Sequence, residues 1–324
     1  MRYLLRRFVQ AAFLLAGVSF LTFLFSTLAP GNYLDEMRLN PQISSATIAA
    51  LRSHYDLDRP LPWRYARWVD SIAHGELGYS FAYNTPVTPL LWVRARNTLL
   101  LTVTATLLAW LLALPLGIWS AEKRGHLPDR ALSLVTATLL VIPELLLALG
   151  LLILASRSGW FPTGGIVSIG FESFSLLEKI RDLAIHMALP VAALVLSALP
   201  ILVRHIRAAV AETLRAPFLR AAAAHGIGRR KLLYGYALRA AANPLISLFG
   251  YSMGTLLSGS LLVEIVMSWP GIGPLLLEAI LARDLYVVIG GVLFSTVFLV
   301  GGNFLADILL YWADPRIRTM DGAG

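Results

Sequence analysis

Two acidic side chains fall inside stretches apolar enough to lie in a membrane, and they are the first places to look for chemistry. Glu144 follows Pro143 in the middle of an apolar run from Ala131 to Ala155, and Glu264 sits towards the end of another, from Asn243 to Met267. A carboxylate at the centre of a bilayer costs on the order of 3 kcal/mol on insertion scales, so Glu144 is expected to face protein or a water-filled path rather than lipid. Three readings fit it: a contact for a cationic group of a ligand, a contact for a Lys or Arg of a partner subunit, or a structural Glu kept protonated or hydrogen-bonded. Glu264, near the outer end of its run, and Asp307, near the inner end of the last run, are cheaper to place. Glu144 and Glu264 are the candidates for residues along a path through the membrane.

Other chemistry is not readable in the chain. The six histidines, His54, His74, His126, His186, His205 and His225, lack metal-ligand spacing, and with no cysteine there is no disulfide framework and no thiolate. No GxxxxGK[ST] phosphate loop occurs, so the chain is not expected to hydrolyse ATP. Neither a nucleophile–base pattern nor a zinc signature is present. The expectation is a protein without metal or cofactor, and not an enzyme.

The other functional stretch is Ala211 to Ile246, which lies between two long apolar runs. Counted from Arg204, it holds eight basic residues: Arg204, Arg207, Arg215, Arg220, Arg229, Arg230, Lys231 and Arg239. So basic a segment between two spans is presented to the cytoplasm. Pro217 suits the first turn of a helix, Leu219 to His225 favour one, and Gly226 with Gly228 ends it. The pattern predicts a short helix, a turn, and a second helix running into the membrane at Asn243 and Pro244.

The elements that position these residues follow from composition. Of 324 residues 57% are hydrophobic and 14% charged, with a mean hydropathy of +0.70. That balance describes an all-α integral membrane protein, not a soluble domain. Six stretches reach the roughly 20 residues that cross a bilayer: Phe8 to Ala29, Thr98 to Ser120, Ala131 to Ala155, Leu183 to Val203, Asn243 to Met267 and Val287 to Trp312. Placing both ends in the cytoplasm puts 16 of the 27 basic residues there, and the long first outer loop is largely exempt from the charge rule. The net charge of +8 is therefore explained by the lipid bilayer, and no nucleic acid partner is expected. The organisation so read is 1–29 as N-terminus and first span, 30–97 as an outer loop, 98–312 as a five-helix core with the basic loop at 204–242, and 313–324 as a tail. Short helices are expected in the outer loop at Thr47 to His54 and Pro62 to Ile72. Trp63, Tyr65 and Trp68 suit a membrane interface, or a surface met from outside by another protein. Pro115, Pro143, Pro190 and Pro200 mark kinks, and the glycines at 250, 254, 290, 291, 301 and 302 form small-residue faces for close packing, within the chain or with a partner.

At Ala221, Ala222 and Gly226 the basic loop resembles the "EAA, three residues, G" segment of ABC importer permeases, in particular the peptide/nickel family. Arg204, Arg207 and Glu212 precede it at matching spacing, and Ala237-Leu238-Arg239 and Pro244 follow. Arg220 stands where the wider superfamily has Glu. The likeness continues through Leu57 to Pro62, Gly75 to Ser80, Glu264 to Gly273, Arg283 to Tyr286 and Asp314 to Arg318, essentially the whole chain. It implies a type I importer permease bundle in a bacterial inner membrane. It also implies a translocation path shared with a second, homologous permease, two ATPase subunits inside, and a solute-binding protein outside. Arg215, Pro217, Phe218, Leu219, Arg220, Ala221, Ala222, Gly226 and Ile227 then form the loop that docks on an ATPase. The cargo is a peptide or related solute, a peptide amine being one cation for Glu144; the family usually has another residue there. The alternative is a self-contained secondary transporter or channel, which inverted repeats would favour; none is evident.

Overall fold

The computed structural model describes residues 2–28, 33, 37–38, 44–54, 56 and 58–313. Leu57 and the Asp314 to Arg318 motif lie outside the described residues. The elements are α1 (Arg2–Leu28), α2 (Ser45–His54), α3 (Leu61–Ala73), the strands β1 (Tyr79–Ser80) and β2 (Thr85–Pro86), α4 (Val87–Glu122), α5 (Leu127–Val141), α6 (Glu144–Ser158), α7 (Leu176–Leu214), α8 (Pro217–Ala224), α9 (Ala242–Val266), α10 (Ile272–Leu281) and α11 (Leu285–Ala313). Among them α1, α4, α7, α9 and α11 are long and apolar enough to cross a membrane, and α5 with α6 makes a sixth span if the pair counts as one.

Three expectations are corrected in detail. The second span starts at Val87 rather than Thr98, because nothing between them breaks a helix and Pro89 falls in the first turn, where its missing N–H is not needed. The fourth covers Leu176–Leu214 without a break at Pro190 or Pro200. At about 1.5 Å per residue it reaches roughly 58 Å, well past the ~30 Å of hydrocarbon. Its start is fixed by a capping box in which Ser175 and Glu178 satisfy each other's backbone N–H groups. The third span is not a kinked helix but two helices bent by 95° at Ile142 and Pro143. Proline at 143 disfavours the helical conformation for Ile142 and cannot donate to the ladder itself.

Contacts gather Met1–Phe8, Leu99–Trp269 and Leu299–Gly324 into one unit, and Val9–Thr98 with Pro270–Phe298 into another. In the first, α7 packs on α5, α6 and α9. A row of small residues on α4, Ala105, Ala109 and Ala113, is fully buried in the core, and a Cβ at Gly117 would come within 2.7 Å of Ile206. Apolar burial drives little association within lipid, so such close approach supplies the attraction. The glycine face of α9 is likewise turned inward, Gly250 against Ala306 and Gly302, and Gly254 against Leu299.

In the second unit Phe23, Trp68 and Ile289 form one buried cluster, and Val87, Leu91, Leu275, Ala279 and Val287 another. The aromatic group of the outer loop is corrected here. Trp68 is 3% exposed and its indole N–H donates to the Leu77 carbonyl at 3.1 Å, while Tyr65 bonds Ser19 at 2.9 Å. Only Trp63, 43% exposed, keeps the outward position expected of all three. Both inward rings face residues far away in sequence, which a local reading could not see.

Candidate functional site

The basic segment is built as an anchored, displayed helix. Arg215 caps the end of α7 and is exposed. Pro217 sits in the first turn of α8, where its fixed φ and missing N–H cost nothing. Leu219 is 3% exposed and holds the helix down, while Phe218 is 50% exposed. Arg220 and Ala221 also face out, and Ala222 and Ile227 are half-buried. The two alanines, alike in sequence, thus face different ways. Gly226 closes the helix with φ +78°. Its N–H bonds the Ala223 carbonyl at 3.0 Å and that of Ile227 bonds Ala222 at 3.3 Å, the crossed pair of bonds that needs a left-handed residue. Beyond it, Lys231–Ala237 winds as a π-helix before the chain enters α9, a departure from the plain helix expected there.

Two ion pairs tie this region to helix ends that sequence reasoning did not connect with it. Arg207 is bidentate on Asp129, at 2.6 and 2.7 Å. Asp129 is 2% exposed and also accepts from Ser120 at 2.5 Å and from the Gly125 N–H at 2.8 Å. Four pieces of chain, the end of α4, the following turn, the start of α5 and the C-terminal part of α7, meet at one carboxylate. Arg229 reaches Glu122 at 2.7 Å. The only local hint was an acid close to each basic cluster.

Glu144 opens α6, directly after the break. Ser197 of α7 donates to it at 3.3 Å, and Gly259 of α9 lies against both carboxylate oxygens. Neither Ser197 nor Gly259 was singled out by sequence. Glu264, expected at an outer, cheap end of its span, is wholly buried instead. The chain folds back after α9, and the N–H of the buried Trp269 bonds the Glu264 carbonyl at 2.8 Å. Of the two candidate carboxylates only Glu144, half-buried, retains an open side. Asp307, also placed at an interface, is 8% exposed and pairs with Arg7 at 3.2 Å.

The motif fragments of the second unit do converge. Asp284, fully buried, accepts from the Ser80 hydroxyl at 2.7 Å and the Ala82 N–H at 3.0 Å. A Cβ at Gly78 would fall 2.7 Å from the Tyr286 ring, and Asn97 and Thr98 bond the backbone at Pro270 and Ile272, both at 2.8 Å. Tyr83 donates to Glu278, and burial together with that carboxylate pushes the phenol up to about 12. Replacing Asp284 by Ala leaves the buried Ser80 hydroxyl and the half-buried Ala82 N–H without their acceptor, a loss of about 2 kcal/mol. Limited proteolysis should then cut between Ser80 and Asn84 much faster than in the wild type; unchanged cleavage would show that the loop does not depend on Asp284.

The family of inner-membrane components of binding-protein-dependent transport systems matches residues 113–319, and its N-terminal membrane-component family matches residues 1–102. The chain belongs to this family of binding-protein-dependent transport permeases. As a permease of such a system it is a membrane component that works with a solute-binding protein, in a family of transporters rather than enzymes. Curated relatives match it end to end. The oligopeptide transport system permease protein AppB of Bacillus subtilis is 32% identical, with 98% of this chain and 99% of that one covered. The di/tripeptide permease protein DppB of Pseudomonas aeruginosa is 34% identical over 93% and 94%, and the dipeptide permease protein DppB of Escherichia coli K12 is 32% identical over 98% and 99%. Among solved structures, an inward-facing MetNI methionine ABC transporter shares the fold, with a TM-score of 0.56 at 16% identity, over 69% of this chain and 96% of the other. The type I importer permease fold read from the sequence is thus present.

Proposed function

We propose that this permease is one of two homologous membrane subunits of an ATP-driven importer for peptides. It forms the route with a second permease, takes energy from two ATPase subunits on the cytoplasmic face, and receives solute from the binding protein outside. The observation that carries this reading is α8, held down by Leu219 with Phe218, Arg220 and Ala221 turned outward and Gly226 closing its end. A short exposed helix with an apolar ring and flanking cations offers a groove-fitting surface, and with no phosphate loop in the chain the energy must come from another subunit. Basic residues favour the cytoplasm for this loop and for both chain ends. The peptide cargo is supported by the relatives named as oligopeptide, di/tripeptide and dipeptide permeases, each matched over nearly its whole length.

The test is a mild-detergent pull-down of the tagged chain together with ATP-driven uptake in proteoliposomes, for wild type, Ala221→Asp and Gly226→Asp. Ala221 is the better position than Ala222, because the half-buried side of α8 would be unseated by a charge. Wild type should bring down a second permease and the ATPases. The variants should keep the permease, lose the ATPases, and import at least about tenfold more slowly, as expected for a charge forced into a docking surface. A chain that purifies alone and transports without ATP would overturn the reading.

A further inference from the structure

Glu144 occupies a notch made for it. A Cβ at residue 259 would lie 2.6 Å from each of its carboxylate oxygens, so glycine there leaves the room the carboxylate takes. Among the described residues its hydrogen bond is the one from Ser197, and no charged neighbour stands beside it. The group is half-buried, open on one side. Next to it α9 exposes Tyr251, Thr255 and Ser258, which helical spacing puts on one face, and Gly259, against which the carboxylate lies, continues the same row one turn after Thr255. A half-exposed carboxylate within the span does not belong against hydrocarbon, so the hydroxyl-bearing face of α9 beside it lines water or meets protein. Two of these hydroxyls are already committed as donors. Thr255 gives its proton to the Ser252 carbonyl at 3.1 Å and Ser258 to the Gly254 carbonyl at 3.2 Å. What they present outward is therefore lone pairs. A carboxylate beside a row of acceptors is a surface for a cation with several N–H donors, and an ammonium group has three.

We propose that this face of α9 is a wall of the solute route and that Glu144 holds the protonated amine of the solute passing along it, for a peptide its N-terminal ammonium. The proposal rests on the importer reading above for the identity of the solute. A fixed Lys or Arg from the second permease is the competing partner, but an exposed row of acceptors suits a transient occupant better than a packed subunit contact.

The chain has no cysteine, so single thiols report cleanly. In the complete complex in proteoliposomes, Thr255→Cys is treated with a cationic and an anionic methanethiosulfonate reagent and modification of this chain is read by mass. The cationic reagent should react faster, and adding Glu144→Gln should cut the ratio of the two rates by about tenfold, as expected for loss of one nearby charge in a partly wet site. A thiol that neither reagent reaches means the face is covered by protein, and a ratio indifferent to Glu144→Gln means the carboxylate does not act there; either result overturns the proposal. In a second arm, ATP-driven import of a free-amine tripeptide is compared between wild type, Glu144→Gln and Glu144→Asp. Gln should lower import about tenfold with the ATPase still stimulated by loaded binding protein, and Asp should retain most of it, since a charge-assisted bond is what has been removed. Loss of the second permease on Glu144→Gln would assign the carboxylate to the subunit contact and overturn the proposal. If the wild-type complex imports no peptide, the peptide reading fails by itself, and the thiol experiment still decides whether Glu144 faces a cation-attracting route.

Discussion

Arg207→Ala should destabilise the purified chain by about 3 kcal/mol, the usual effect of removing one partner from a buried ion pair. Asp129 is 2% exposed, and without the guanidinium its charge keeps only the Ser120 hydroxyl and the Gly125 N–H. Asp129→Ala should cost less, because the Arg207 side chain is 31% exposed and its charge can be hydrated once the carboxylate is gone. Replacing both by leucine should recover most of the loss, since the two charges no longer need desolvating. Unfolding in mixed micelles of increasing SDS fraction measures all three variants. Single variants within ~0.5 kcal/mol of wild type would mean that the four segments meeting at Asp129 are held by packing alone. An uptake assay adds a second readout, because Arg207 lies one helix upstream of the proposed ATPase-docking segment and a loosened α7 should also lower ATP-driven import.

The next largest effect is expected at the glycine face of α9. A Cβ at Gly250 would stand 2.5 Å from the Ala306 Cβ and 3.3 Å from the Gly302 carbonyl. A methyl on a helix and a backbone oxygen cannot swing away, so Gly250→Val must push α9 and α11 apart, at about 3 kcal/mol for overpacking. Gly254 meets only the end of the Leu299 side chain, at 2.0 Å; a rotamer change there relieves much of the clash, and Gly254→Val should cost roughly half as much. Gly301 has nothing within 4 Å, and Gly301→Ala should be neutral or slightly stabilising through helix propensity. The same SDS titration gives the order. Equal losses at 250 and 301 would contradict the close contact between α9 and α11.

Much of this protein was legible because lipid imposes a simple rule. Apolar length alone marked α1, α4, α7, α9 and α11, since a backbone without water must close its own hydrogen bonds. Proline and glycine chemistry marked α8 to within a residue, because Pro217 and Gly226 act through their own dihedrals and need no neighbours. The break at Pro143 was seen as a kink but not as a 95° turn. Proline determines that the ladder is interrupted, whereas the angle depends on what α7 and α9 leave free.

The residues that matter at the sites were legible by type and not by partner. Glu144 stood out through its cost in a membrane, but Ser197 and the Gly259 notch are 53 and 115 positions away along the chain and carry no signal of their own. Arg207 looked like one more cytoplasmic charge until Asp129 appeared beside it, and Glu264 looked peripheral until Trp269 folded back over its turn. Ala221 and Ala222 show the same limit at the smallest scale: identical side chains, one turned outward and one inward by the seating of Leu219. The sequence by itself determined the membrane, the spans, the exposed basic loop and the family, because hydropathy, charge placement and turn residues are local properties. Only the tertiary structure decided which charges are paired, which carboxylate stays open and which glycine makes room for it, because burial and pairing are set by segments that meet across long stretches of chain.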